Sequence, residues 1–374
     1  MGVSRDVRTV HVPALDGVRG IAIALVLLHH CGWPKPIAGP GWIGVDLFFV
    51  LSGYLITGIL FDTRDAPNRA QSFYVRRALR IFPIYYAVLV ILFVITPLVH
   101  PVHWRQVDAL AGEEAWYWTY LCDWRMAFSH PPTVTILGHF WTLSIEEQFY
   151  WLWPIVIWAL SRRAALRLCV ALLVGATLLR IYLITSVPLV LTPTLQVAFA
   201  YLFLPTRIDG LVCGALIALA LRGPGGSPAV VRWMRPVGLA ATGVLIATVL
   251  LRRTASHDDP WIILTGYPTL ALAFAGVLLY AVTTPTPFLA WRPLRVLGKY
   301  SYGLYVLHQP IMTVARVGLH MPDASVGAGR SFTLIMLPIV FAAAWLSYHL
   351  YEKQFLKLKD RFAADYRQGV AVTA

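Results

Sequence analysis

Charge is scarce in this sequence, and acid is scarcer than base. Of 374 residues, 18 are Asp or Glu and 31 are Lys or Arg, so charged side chains make up 13% of the chain. A soluble domain carries about 25%, so an ordinary soluble enzyme is excluded. Cysteine is nearly absent too: Cys31, Cys122, Cys169 and Cys213, with no CxxC pair. That spacing supports neither a metal site nor a disulfide framework; a Cys31–Cys122 bridge is the one pairing that a shared outer location would allow. His100, His103, His130 and His139 stand in no HExxH or comparable pattern, so no metal is expected. There is no short-period repeat and no nucleic-acid-binding motif.

What is present is apolar length. Hydrophobic residues make up 58% of the chain and its mean hydropathy is +0.66. Repeated apolar stretches near 20 residues predict an all-α integral membrane protein. Ten spans are expected, near 16–32, 43–62, 81–99, 141–160, 165–185, 199–221, 236–251, 265–283, 302–319 and 332–351. The fourth reads as beginning in a broken or re-entrant segment, and the seventh is the shortest. The net charge of +13 is scattered in short basic clusters between spans rather than gathered in one patch. Arg64, Arg69, Arg76, Arg77 and Arg80 form one cluster; Arg162, Arg163 and Arg167 another; Lys353, Lys357, Lys359 and Arg361 close the chain. The positive-inside pattern puts these loops and both termini in the cytoplasm. Residues 1–374 read as a single membrane domain with no appended soluble domain. Residues 352–374 form a basic amphipathic cytoplasmic tail, read as a solvated face rather than a lipid site. The N-terminus imitates a signal peptide, but HHCGWPKP replaces a cleavage site, so the first span is expected to be retained.

The polar residues inside the spans carry the chemistry, because each is costly there. In DGVRGIAIALVLLHH, Arg19 and His30 are eleven residues apart. Eleven helical residues make about three full turns and rise about 16 Å. The two groups therefore share one helix face at two depths, while His29 points roughly 100° away. On the expected topology His30, Asp46 (span 2) and Glu147 (span 4, beside Glu146) lie in the outer half and converge. Arg77 and Arg80, in FYVRRALRIFP, lie at the depth of Arg19. An imidazole with a carboxylate suits a general base, and clustered guanidinium groups suit phosphate. Taken singly, each such group also fits an interfacial helix end. Arg207 and Asp209 either neutralise each other or bind substrate, Arg180 reads as interfacial, and His308 is either a packing residue or part of the cavity.

The same residues carry a family resemblance. LDGVRGIAIALVLLHH, GWIGVDLFFVLSGYLIT, FYVRRALRIFPIYY, HFWTLSIEEQFYWLWP, RIDGLVCGALIA, LGKYSYGLYVLHQPI and YEKQF, in this order, resemble the motifs of the membrane-bound acyltransferase-3 family. The resemblance covers nearly the whole chain. It implies a ten-span core in a bacterial plasma membrane, acyl-CoA (expected to be acetyl-CoA) as co-substrate, and no permanently bound cofactor. It implies O-acyl transfer to a carbohydrate hydroxyl, such as a surface polysaccharide or its lipid-linked precursor. A small secreted glycoside or macrolide is the alternative acceptor. Arg19, Arg77 and Arg80 would hold the nucleotide phosphates, and His30 would be the base, oriented by Glu147 or Asp46. Ser144 or a backbone N–H would stabilise the oxyanion, and an acyl-enzyme route stays open. Glu146, Arg207, Asp209 and His308 are further substrate-binding candidates. Many family members carry an eleventh span and an extracellular hydrolase-like domain. Without them, a second transfer step would need another protein. A transporter would also place charge in a helical core, but no inverted repeat is visible.

Overall fold

The computed structural model describes residues 12–30, 39–99, 105–108, 110–128, 136–186, 192–319 and 330–364. Cys31, His100, His103, His130 and residues 365–374 of the tail lie outside the described residues. Among the described residues every regular element is helical. The main helices are α1 (Pro13–His30), α2 (Ile43–Asp62), α3 (Arg69–Val90), α4 (Trp141–Ala159), α5 (Arg162–Ser186), α6 (Pro193–Leu202), α7 (Asp209–Leu221), α8 (Gly226–Arg252), α9 (Tyr267–Thr283), α10 (Arg292–Gly318), α11 (Arg330–Leu346) and α12 (Lys353–Leu358).

Among the described residues, six segments are long and apolar enough to cross a membrane: Gly39–Asp62, Arg69–Leu98, Arg162–Ser186, Gly226–Arg252, Ile262–Thr283 and Leu334–Phe362. Ten were expected. Helices α1, α4 and α10 and the broken pair α6–α7 occupy the other four places, but they are shorter or more polar. They are also the helices that carry most of the ionisable residues singled out above. The seventh expected span, placed at 236–251, is α8 and begins ten residues earlier.

Glycine sets the closest helix contacts. A Cβ on Gly53 of α2 would lie 1.8 Å from the Leu211 carbonyl oxygen of α7. One on Gly298 of α10 would lie 1.9 Å from the Asp16 carbonyl oxygen of α1. Small residues at such crossings let backbones touch, which gives dispersion contacts where lipid offers no hydrophobic drive. The α1–α10 crossing fixes the bearings of Arg19 and His30 relative to the residues of α10.

The sixth expected span is broken. Helix α6 ends at Leu202, a single turn covers Leu204–Arg207, and α7 begins at Asp209. Arg207 and Asp209 sit at the break but do not neutralise each other. Arg207 pairs with Asp46 of α2 at 2.8 Å, and Asp209 pairs with Arg180 of α5 at 2.9 Å. Arg180 is therefore fully buried rather than interfacial, and it also donates to the Thr206 carbonyl exposed by the break. Four rings surround the Arg207 guanidinium, with Tyr267 nearest at 4.3 Å. A broken helix in an apolar interior needs such partners for its freed backbone and its charges.

The segment between α3 and α4 is rich in Trp and Tyr, residue types that suit a membrane interface. Much of it is packed inward. Tyr85 Oη donates to the Tyr117 carbonyl at 2.7 Å, and its ring stacks on Tyr120 at 4.1 Å. Asp123 is fully buried and accepts from Gln148 Nε2 of α4 at 2.7 Å. Cys122 is a free buried thiol 3.1 Å from Ser144 Oγ. The tail is docked as well: Asn68 Nδ2, beside α3, donates to the Ala363 carbonyl at 2.9 Å.

A candidate active site in two chambers

Two cavities meet near the middle of the bundle. One is lined by Arg19, Arg77, Arg80, Ser52, Glu146 and Glu147, with about 100 Å³ of free volume. The other is lined by His29, His30, Trp42, His139, Tyr201 and Gln309, with about 700 Å³. Val45, Thr142 and Tyr305 line both. The hydroxyls of Thr142 and Tyr305 are 2.5 Å apart, and both reach the His139 carbonyl, at 3.1 and 3.0 Å. This hydrogen-bonded pair is the partition between an arginine chamber and a histidine chamber. Helix α1 runs past it, with Arg19 on one side and His30 on the other.

The three arginines do share one chamber. Arg19 is tethered to Asp16 at 3.1 Å, and the Arg77 guanidinium lies 4.8 Å from the Tyr150 ring. Glu146 accepts from Ser52 Oγ at 2.6 Å, and Tyr150 Oη donates to the same serine at 3.2 Å. Glu147 is buried, and its Oε2 has no hydrogen-bond partner among the described residues.

The expected meeting of His30 with Asp46 and Glu147 does not occur. Glu147 lines the arginine chamber, and Asp46 is held by Arg207. His30 is instead partnered by histidine. Its Nδ1 lies 3.0 Å from the Val26 carbonyl and 3.3 Å from His308 Nε2. Nδ1 of His308 lies 2.6 Å from the Tyr305 carbonyl. A carbonyl only accepts, so each Nδ1 carries the proton and each Nε2 keeps its lone pair. His308 Nε2 then accepts from His30 Nδ1, and among the described residues nothing bonds His30 Nε2, which is left as a base. The packing reading and the cavity reading of His308 thus merge: it is wholly buried and positions the ring that lines the chamber.

Three further expectations are corrected. His29 lines the histidine chamber beside His30, their rings 5.1 Å apart, because that chamber wraps more than one helix face. Ser144 faces Cys122 rather than either chamber. Arg207 and Asp209 form the scaffold above and line neither chamber. Sequence reasoning missed His139, Gln309, Thr142 and Tyr305. His139 Nδ1 lies 2.6 Å from Gln309 Oε1, and its ring lies 4.7 Å from that of His308. Their positions inside GHFWT and LYVLHQP were the available signal. Tyr201 stacks on His257 at 4.2 Å. Burial holds His257, in the connection before α9, down to about 4, so it is a neutral ring at pH 7. Among the described residues, no three His, Cys, Asp or Glu side chains group as a metal site requires.

A family profile described as an acyltransferase domain matches residues 12–349. The chain belongs to the acyltransferase-3 family. Curated relatives agree. The chain is 28% identical over 369 residues to the peptidoglycan O-acetyltransferase OatA of Listeria monocytogenes, covering 93% of this chain and 56% of the relative. It is 30% identical to the putative peptidoglycan O-acetyltransferase YrhL of Bacillus subtilis, covering 92% and 54%. It is 29% identical to the O-acetyltransferase OatA of Staphylococcus aureus, covering 81% and 51%. The chain spans about half the length of these relatives. No solved structure matches it.

Proposed function

We propose that this chain is a membrane O-acetyltransferase that moves an acetyl group from acyl-CoA, across the partition, to a carbohydrate hydroxyl. The observation that carries this is the division of one helix between two chambers, with a phosphate-suited trio around Arg19 and a free imidazole nitrogen at His30. The topology proposed with it has ten crossings of a bacterial plasma membrane and both termini in the cytoplasm. The donor's phosphates lie with Arg19, Arg77 and Arg80, and its narrow arm follows the small chamber toward Tyr305. The acceptor enters the larger chamber, where Trp42, Trp141 and Tyr201 offer ring faces and Gln309 a polar group. The relatives' names point to peptidoglycan as that acceptor.

In the transfer step, His30 Nε2 takes the acceptor hydroxyl proton as the oxygen attacks the thioester carbonyl. The new C–O bond forms and the C–S bond breaks. The imidazolium returns the proton to the leaving sulfur, giving free CoA thiol. Val26 and His308 hold the imidazolium through Nδ1. The Tyr305 hydroxyl, at the meeting of the chambers, replaces Ser144 as donor to the oxyanion by turning its proton from the His139 carbonyl, while Thr142 keeps its bond to that carbonyl.

The test is mass spectrometry of wall and surface glycans from three strains: a deletion, a wild-type complement, and a His30→Ala complement at equal protein level. A product heavier by one acetyl group only with wild type is expected. Equal acetylation in all three strains would sink the reading.

A further inference from the structure

Arg19 and Arg80 belong not to one cavity but to three. Besides the arginine chamber, they line a cavity under α3 and a larger one, with about 750 Å³ of free volume, between α10 and the C-terminal segment. The larger cavity adds Arg292, Arg295, Lys299 and Lys359, and among the described residues its only acids are Asp16 and Glu352. Asp16 is already paired with Arg19 at 3.1 Å, and Glu352 accepts from Ser347 Oγ at 3.0 Å. Six cations therefore face one space with two acids, Asp16 on Arg19 and Glu352 in the field of Arg80. Lys359 also lies in the field of Arg76, Arg77 and Arg80. Like charges gathered this closely repel unless an anion joins them.

The cluster is also built rather than loose. Arg292, Arg295 and Lys299 fall at i, i+3 and i+7, on one face of α10. The Gly298 contact locks that face against α1 and Arg19. Lys359 arrives from a segment that packs against α3. Lys299 Nζ stands 5.0 and 4.8 Å from the Tyr300 and Tyr348 rings, which form an aromatic wall of the same cavity.

Resting on the acyl-CoA reading, we propose that this cavity is the adenosine 3′-phosphate subsite of the donor. Arg295 and Lys359, with Arg292 and Lys299, grip the phosphate on the ribose. Acyl-CoA carries two separate anionic groups, a diphosphate next to the pantetheine arm and a monophosphate on the ribose. Arg19 and Arg80, at the junction of the three cavities, suit the diphosphate. The four further cations of the larger cavity are then left for the ribose phosphate, and the tyrosines give the adenine an apolar face.

The experiment compares binding of CoA and 3′-dephospho-CoA to the full chain in nanodiscs of neutral phosphatidylcholine, by isothermal titration. The wild type is expected to favour CoA roughly 10- to 100-fold, the worth of one or two charge-assisted bonds. Arg295→Gln and Lys359→Gln, on separate elements, are each expected to weaken CoA and leave dephospho-CoA unchanged. Equal binding of the two ligands by the wild type would overturn the subsite but keep the donor reading. Loss of both ligands alike in both variants would overturn it as well. A preference that exists only with phosphatidylglycerol in the disc, or CoA binding that phosphatidylglycerol suppresses in wild type but not in the variants, would assign the cations to lipid headgroups instead. Failure of either ligand to bind at all would overturn the donor reading along with the subsite.

Discussion

In the proposed transfer the group that orients the His30 imidazole is a second neutral imidazole, His308, rather than a carboxylate. A carboxylate would stabilise the imidazolium by charge; His308 Nε2 does so only by accepting from Nδ1. Its main service is to fix the tautomer and the ring plane. His30→Ala is expected to lower turnover by roughly 10²–10⁴-fold while the protein remains inserted and folded, the range for losing a general base. His308→Ala leaves the base but frees its ring. It is expected to lower kcat by roughly 10², the cost of misplacing a reacting group by about 1 Å, with KM for the donor unchanged. Steady-state kinetics with acetyl-CoA separate the two effects. An unchanged kcat in His308→Ala would remove His308 from the site.

At the scale of elements, charge pairs hold the broken helix. Removing one member of a buried pair strands the other, at about 3–5 kcal/mol, whereas replacing both with apolar residues is far milder. Arg207→Met is therefore expected to lower the melting temperature of the purified protein sharply. Arg207→Met with Asp46→Leu should recover most of it. A double variant as unstable as the single one would mean that Arg207 acts through its four rings and not through Asp46. The segment before α4 adds a pH term. Burial pushes the Asp123 carboxyl up to about 7. A carboxyl raised on folding favours the folded state at low pH, and that advantage is lost as pH climbs from about 4 through 7. Asp123→Asn should flatten the loss of thermal stability between pH 5 and pH 7, while identical pH profiles for the two proteins would refute the assignment.

Over the whole molecule, the proposed mechanism makes the partition the element that couples transfer to the acceptor. Water is kept from the thioester only if Thr142 and Tyr305 close the path when no acceptor is present. Tyr305→Ala joins the two chambers. It is expected to release free CoA thiol from acetyl-CoA without acceptor, faster than wild type, in a thiol-colour assay. Tyr305→Phe, which keeps the ring but loses the hydroxyl, should release less. No acceptor-independent release in Tyr305→Ala would mean that the barrier lies elsewhere.

The sequence by itself determined the helical membrane class, the register of Arg19 with His30, and the gathering of Arg77 and Arg80 near Arg19. Each follows from local periodicity or loop charge, which one stretch of chain carries within itself. The family motifs were legible for the same reason. Partner choice across helices was not. Asp46, Glu147 and His30 share an expected depth, but depth does not say which helix faces they occupy. The Gly53 and Gly298 contacts set those faces, and they turned Asp46 to Arg207 and His30 to His308. Hydropathy also missed the inward-packed aromatics before α4 and the docked tail, because both are stabilised by contacts with distant residues. Only the tertiary structure decided the two chambers and the wall between them, since Thr142 and Tyr305 meet across 163 residues of chain.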